Sequence, residues 1–415
     1  MRSGTTAAAQ VGDAVLMAMA PLEHAAQLYI SAALVLEGDV PEAGAVADHI
    51  GRRLHRVPGL WHRYAERGGR PGWQPQEVRA DDHVAPLRLD LRPGESGLDA
   101  LMREVRLLPP VGPAGGPMWD VLVATGFAAG RWALVFRVHH TQMDGGAITH
   151  TLDQLFGHSP ASRRRTLFSD AVRPGFRHIP SAAASVLGAA RPTSPWPARV
   201  SAVRPGSATY AVTGPVDVAD LGVPGGSTVS QVLAAAFALA ADAWWPLPGD
   251  RRVHALVPMD MREPGEQRTL GNHFAPLRLA LPTGPPDRVL REVTAQMRAW
   301  RRPGFRAALD VTIRRTTPFR AGFLLGGRIS SGTCCRAVVS SIRSRHPLSF
   351  AGAPVLDLVP AVPTYPGHAL SCTLWSYGGR ARVAFGAHTS MPSVGTLPGL
   401  WDQALRAIRA ESPYV

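Results

Sequence analysis

The chain has 415 residues, more than one hydrophobic core usually organises, so two domains are expected. Apolar residues make up 45% and charged residues 18%, which excludes a disordered or fibrous chain. The formal charge of +13 comes entirely from arginine, since the sequence contains no lysine, and with no aromatic–basic ladder beside it nucleic acid ranks last among partners. From Asp13 a short helix leads into a strand over Leu28 to Leu36, ended by Gly38. Val46, Ile50 and Leu54 stand at helical spacing within Ala45 to Arg56, and the same periodicity recurs over Gly97 to Leu108. After the Pro/Gly turn of Pro113 to Trp119, the apolar runs Asp120 to Thr125 and Trp132 to Val138 are parted by Gly126 to Gly130 and read as a hairpin. Residues 159–205, with Arg163 to Arg165 and scattered prolines, read as a crossover linker carrying one helix near Ala182 to Ala190. A strand near Ala208 to Val212 follows, then a helix capped by Ser227 or Thr228. Strands over Val253 to Pro258 and Pro276 to Leu281 precede a helix over Asp287 to Arg301. Strands over Ala337 to Ile342, His368 to Tyr377 and Ala381 to His388 come next, and a helix over Gly399 to Arg409 is the last element. Strands interspersed with helices in both halves predict an α/β (α+β) fold in two lobes, 1–158 and 206–415.

The arginine excess has two readings, a high-GC coding bias and attraction of phosphate-bearing partners such as coenzyme A, a phosphopantetheine carrier or an anionic membrane surface. Cys334 and Cys335 are adjacent, Cys372 stands apart, and no zinc spacing is present, which favours a reducing compartment. The first twelve residues lack the basic-then-apolar pattern of a secretory signal. The most apolar stretch, Val229 to Leu247, contains Ser230, Gln231 and Asp242 and reads as a buried helix rather than a membrane span. A cytoplasmic protein, with peripheral contact to a lipid surface as an option, is the expectation.

The stretch His139-His140-Thr141-Gln142-Met143-Asp144-Gly145 directly follows the strand that ends at Val138. Side chains alternate along a strand, so one imidazole can enter a cleft while the other packs behind it. Imidazole titrates near neutrality, which suits a base that accepts a proton and returns it within one turnover. Asp144 is placed to pair with an arginine and hold the turn, and Gly145 and Gly146 leave no side chain in the way and permit backbone angles closed to other residues. Three other readings stand beside this one: a structural histidine pair, an Asp144 that merely makes the turn, and a metal site. Adjacent histidines diverge on a strand, which argues against the metal.

HHxxxDG after a strand, in a chain of this length, resembles the signature of the coenzyme A-dependent acyltransferase superfamily, which includes chloramphenicol acetyltransferase and nonribosomal-peptide condensation domains. Further segments resemble the bacterial wax ester synthase/diacylglycerol acyltransferase family in order along the chain. These are Asp13-Ala14 with the following helix and strand, Pro117-Met118-Trp119, VPMDMR at 257–262, Gly271-Asn272, LALP at 279–282, Ala353-Pro354-Val355 and Ser376-Tyr377-Gly378-Gly379. The resemblance implies two chloramphenicol-acetyltransferase-like lobes, each a mixed sheet with helices, around a central tunnel. It implies O-acyl transfer from acyl-CoA, or from an acyl carrier protein thioester, to a hydroxyl acceptor, with no permanently bound cofactor and no metal. His140 would be the general base, His139 supporting, and Asp144 and Gly145 structural. Trp119, Asn272 and Tyr377 would line or support the tunnel. Two departures stand out: the family's Asn-Asp pair falls on Ser230-Gln231, leaving the Ser230 hydroxyl as the candidate oxyanion donor, and its Ser-Asn-Val-Pro-Gly-Pro stretch is replaced by residues 340–345. The rivals are a condensation-type enzyme of specialised metabolism, with a carrier-bound acyl group and a hydroxyl or amine acceptor, and a non-catalytic binding protein of the same fold.

Overall fold

In the computed structural model the chain divides into two compact units, and the division does not simply follow sequence order. The first comprises residues 1–169, 262–273 and 342–363; the second comprises residues 170–261, 274–341 and 364–415. The structure describes residues 6–19, 28–67, 70–158, 179–192, 208–222, 226–246, 253–262, 269–301, 304–314, 319–361, 363 and 365–411. Arg163 to Arg165 and most of the crossover expected over 159–205 lie outside them, apart from the helix Ile179–Ala189.

The first unit is built on a five-stranded sheet in the order Asp357–Ala361, Tyr29–Glu37, Arg131–His139, Trp119–Ala128, Val84–Arg88. The pairings are antiparallel except the last, which is parallel. The central strand reads RWALVFRVH and is buried along nearly its whole length, as a strand covered on both faces should be. The expected hairpin is present, slightly longer at both ends than the apolar runs suggest. Helices Ala43–Gly51 and Gly97–Leu107 bury Val46, Ala47 and Ile50, and Ala100, Leu101, Met102 and Val105, the apolar positions of each period. A small second sheet joins Ala7–Ala8, Arg70–Pro75 and His62–Arg67.

The edge strand Asp357–Ala361 comes from the far end of the chain and pairs with Tyr29–Glu37, Asp357 against Val35 and Ala361 against Ser31. Its Pro360 hides it from a pattern reading, because a proline cannot donate to a ladder and is tolerated only at an edge or bulge.

The second unit has a sheet in the order Phe274–Ala280, His254–Asp260, Ala337–Arg343, Leu370–Tyr377, Arg380–His388, Ala208–Val212, with Val216–Asp217 also pairing with Arg380–His388. The alanine-rich helix Val229–Trp244 is a buried core helix, as its polar interruptions suggest, and packs with Pro286–Trp300 and Leu397–Ala410. It starts at Thr228, the N-cap, whose N–H donates to Gln231 Oε1 at 2.8 Å in a capping box. Helices Phe305–Arg314 and Phe319–Ile329 carry no expectation from the sequence. Among the described residues no helix is long and apolar enough to cross a membrane. Cys334, Cys335 and Cys372 are buried free thiols.

Candidate active site

The HHxxxDG segment sits where the central strand of the first unit ends and a helix begins. His139 is the last residue of Arg131–His139, opposite Tyr29, and its N–H donates to Met118 O at 2.8 Å. Its ring is completely buried, edge-on to the Tyr29 ring at 5.5 Å, and its Nδ1 accepts the Thr141 N–H at 3.2 Å. Burial, aided by the neighbouring His140, pushes this imidazole down to about 3. The ring is enclosed and packs behind the turn.

His140 donates its backbone N–H to Leu28 O at 2.9 Å, and its ring Nδ1 lies 3.0 Å from Asn272 Oδ1. Burial lowers its pKa, while a hydrogen bond to its own backbone, the Asp144 charge and the Asn272 side chain oppose that shift. A neutral imidazole beside a fixed negative charge can accept a proton and bear the cation that results.

The turn after the histidines is clamped from several sides. Gln142 donates from Nε2 to Gly59 O and accepts at Oε1 from the Met118 N–H, both at 2.6 Å. The Gly271 N–H donates to Gln142 O at 2.7 Å. Gly271 has φ of +75°, in the region that favours glycine, and a Cβ there would come 3.2 Å from Asp13 Oδ2. Met118 therefore holds both His139 and the turn, and next to it Trp119 is buried, donating from Nε1 to Leu60 O at 2.8 Å and stacking on His83 with ring centroids 4.3 Å apart.

Asp144 is the N-cap of the helix Gly145–Phe156, its Oδ1 accepting the Ala147 N–H at 2.8 Å. The arginine partner expected from sequence is Arg262, the last residue of VPMDMR, which forks onto the carboxylate at 2.8 and 3.0 Å. The His273 N–H donates to Oδ2 at 2.7 Å. Burial alone would raise this carboxyl, but the Arg262 guanidinium outweighs it and, with His273 and Ala147, holds Asp144 well below the usual carboxylate range.

Of the two reasons read in the sequence for the glycines, the absence of a side chain holds and the backbone angles do not. Neither Gly145 nor Gly146 is among the residues with positive φ, so unusual backbone angles are not the reason for them. The reason is space: a Cβ on Gly145 would come 2.9 Å from Ile342 Cδ1, and one on Gly146 would come 2.6 Å from the Arg262 guanidinium.

Asn272 joins His140 to the start of the chain. Its Nδ2 donates to Asp13 Oδ1 at 2.9 Å, to His140 O at 2.8 Å and to Thr141 O at 2.9 Å, and its backbone N–H also reaches Asp13 Oδ1 at 2.9 Å. Asp13 Oδ2 accepts from the Gln10 N–H at 2.9 Å and from Trp73 Nε1 at 3.1 Å. Burial pushes the Asp13 carboxyl up, against the pull of these donors.

His139, His140, Asp144, Gly145, Trp119 and Asn272 are thus brought into one unit. Ser230 and Tyr377 belong to the other: Ser230 is a partly buried residue in the first turn of Val229–Trp244, and Tyr377 is the partly buried last residue of Leu370–Tyr377. Arg262, Asp13, Gln142 and His273 carry no site role in the sequence reading, although the first three fall within the segments that carry the resemblance. Among the described residues no group of three or more His, Cys, Asp or Glu side chains is arranged to hold a metal ion.

Comparison with known proteins places the chain in a family. The wax ester synthase/diacylglycerol acyltransferase catalytic domain matches residues 13–214, and the C-terminal domain of the same family matches residues 270–409. A Mycobacterium tuberculosis protein described as a probable diacylglycerol O-acyltransferase, tgs1, is 31% identical over 186 residues, 41% of this chain and 39% of that one. The chain thus spans about two fifths of the length of the curated relatives it matches. In fold, it is similar to the wax ester synthase/diacylglycerol acyltransferase of Marinobacter aquaeolei, with a TM-score of 0.64 at 19% identity over 98% of this chain and 100% of the other. It is similar also to a mutant starter condensation domain of rhizomide synthetase in complex with C8-CoA, with a TM-score of 0.68 at 16% identity over 98% and 96%. The fold is therefore the one shared by these acyltransferases and condensation domains, and the chain belongs to the wax ester synthase/diacylglycerol acyltransferase family.

Proposed function

We propose that this protein is an O-acyltransferase that moves an acyl group from a coenzyme A thioester to a hydroxyl acceptor, with His140 as general base. The observation that carries the reading is a buried imidazole held at a strand end, its Nδ1 3.0 Å from Asn272, next to an Asp144 carboxylate locked by Arg262. His140 takes the acceptor's hydroxyl proton as that oxygen attacks the thioester carbonyl. A tetrahedral oxyanion forms, the C–S bond breaks, and the imidazolium returns its proton to the departing thiolate. Asp144 favours the transient imidazolium electrostatically, and no covalent acyl-enzyme is needed. Ser230 is the candidate hydroxyl donor to the oxyanion. Long-chain alcohols and diacylglycerol are the acceptors suggested by the family, with a narrow range expected because the Asn-Asp pair is replaced.

Purified protein incubated with a panel of acyl-CoAs and alcohols, read by thiol release and mass spectrometry, tests this. His140→Ala should cost roughly a hundredfold or more in turnover with the fold retained, and a loss under about tenfold would overturn the mechanism. A second reading, transfer from a carrier-protein-bound acyl group, stands beside the first because the same histidine base would serve either thioester. It predicts turnover only when the donor is an acyl carrier protein thioester.

A further inference from the structure

We propose that Asn272 and Asp13 are positioning residues that hold His140 in the tautomer protonated at Nδ1, leaving the lone pair on Nε2 to take the acceptor's proton. This rests on the general-base reading of His140. The orientation of the Asn272 amide is settled by its neighbours. One end faces three oxygens at 2.8–2.9 Å: Asp13 Oδ1, His140 O and Thr141 O. Two of these are carbonyls and the third belongs to a buried carboxyl that receives three further N–H groups, from Gln10, Trp73 and the Asn272 backbone. An amide oxygen turned toward them would meet lone pairs, so the NH2 must lie there. The end 3.0 Å from His140 Nδ1 is then the carbonyl oxygen, which can only accept. Nδ1 must carry a proton to complete that bond, in the neutral ring and in the imidazolium alike.

Asp13 acts at one remove. Each of its oxygens already accepts two N–H groups, so it has no proton to offer a flipped amide, and by gripping both the backbone and the side-chain nitrogen of Asn272 it fixes the amide plane. Its other oxygen is fixed by Gln10 and by the buried Trp73. Outer hydrogen-bond partners of this kind select a histidine's tautomer and ring orientation in metal and catalytic sites generally.

The test compares wild type with Asn272→Ala, Asp13→Asn and the double variant, by acyl-CoA turnover across pH and by heteronuclear NMR of isotope-labelled histidines. His140 signals are assigned by their loss in His140→Ala. Asp13→Asn matters most, because it keeps the shape while offering Asn272 a donor as well as an acceptor, so the amide is no longer held one way round. The wild-type spectrum should show His140 protonated at Nδ1. Asn272→Ala should lower kcat by about 10–100-fold while KM for acyl-CoA moves much less, and should populate the Nε2-protonated form. The ascending limb of its kcat/KM profile should move to lower pH, because the imidazolium loses an acceptor. Asp13→Asn should cause the same changes to a smaller extent, and the double variant should be no slower than Asn272→Ala. Three results would each overturn the proposal: a wild-type His140 protonated at Nε2, an Asn272→Ala enzyme that is slower with limb and spectrum unmoved, or losses that multiply in the double variant. If Asn272→Ala does not fold, the wild-type spectrum and Asp13→Asn decide. A wild type that turns over no acyl-CoA would sink the acyl-transfer reading, and the spectra would still decide the tautomer.

Discussion

Two buried arginine–aspartate forks lie in the first unit, one associated with each histidine, and they serve different ends. Arg137 pairs with Asp120, its direct cross-strand neighbour, at 2.6 and 2.7 Å. Its remaining N–H groups reach the carbonyls of Val105, Leu108 and Pro109, each at 3.0 Å, and its guanidinium lies 5.8 Å from the centre of the Tyr29 ring that backs His139. Every donor of this arginine is used, two within the hairpin on Asp120 and three to bind the hairpin to the end of the helix Gly97–Leu107. Arg262 and Asp144 are 118 residues apart, and their fork ties the start of the helix after His140 to a segment from the second half of the chain. One fork secures the sheet; the other sets the angle of a turn. Because charges this buried lose solvation, neither pair is expected to add much net stability over an apolar substitute, but breaking one side of either should be costly.

The sharpest way to separate them is to remove each arginine in turn. Arg137→Met and Arg262→Met should each cost about 3–5 kcal/mol in denaturant unfolding, since an aspartate is left buried without its cation. Per folded molecule, only Arg262→Met should lose turnover, by about a hundredfold, the scale of a displacement near 1 Å at reacting groups. Equal turnover losses from the two would erase the distinction.

A smaller effect tests the histidine beside the first fork. Above pH 6.5 His139 is neutral in both folded and unfolded chains; as pH falls from 6.5 toward about 3, only the unfolded chain binds the proton, so stability drops. His139→Gln should remove about 1.4 kcal/mol per pH unit from the acid slope of unfolding, with turnover at neutral pH falling far less than for His140→Ala. An unchanged slope would mean that His139 can be protonated where it sits.

The smallest expected effect touches the second fork alone. Gly146→Ala should cost about 1–3 kcal/mol and slow turnover, because the new methyl displaces the Arg262 guanidinium. Gly145→Ala, which meets only the movable end of Ile342, should cost less. The reverse order would show that the fork tolerates displacement.

The contrast between the forks also marks what the sequence could disclose. Strands and helices with clean periodicity, such as Arg131–His139 or Gly97–Leu107, were legible because local spacing carries them. The histidine motif was legible because its residue types and its place after a strand are both local. Arg262 as the partner of Asp144, and Asp13 as the anchor of Asn272, were not, since contacts 118 and 259 residues apart leave no trace in spacing. The helix Gly145–Phe156 was overlooked because its first turn is Gly-Gly, which reads as a loop until Asp144 is recognised as its cap. Two short strands were lost to their prolines, which argue against a strand in a pattern reading: Asp357–Ala361, where Pro360 is tolerated at a sheet edge, and Arg70–Pro75, the middle strand of the small sheet.

The sheet edge supplied by Asp357–Ala361 has a consequence for how the protein is made. When the ribosome has passed Asp144, the strand Tyr29–Glu37 has its neighbour Arg131–His139 on one side and nothing yet on the other, and Asp13 and Asp144 await partners from residues 262–273. The last strand of that sheet ends at Ala361, 222 residues after His139 (361 − 139), so at about 5–20 residues per second the open edge persists for roughly 10–45 s. A nascent chain in that interval presents an apolar strand open along one edge and two carboxylates awaiting burial, which is the state most exposed to misassembly. Synthesis of this fold should accordingly depend on chaperone holding, and a chain truncated before residue 262 should aggregate rather than yield a working half.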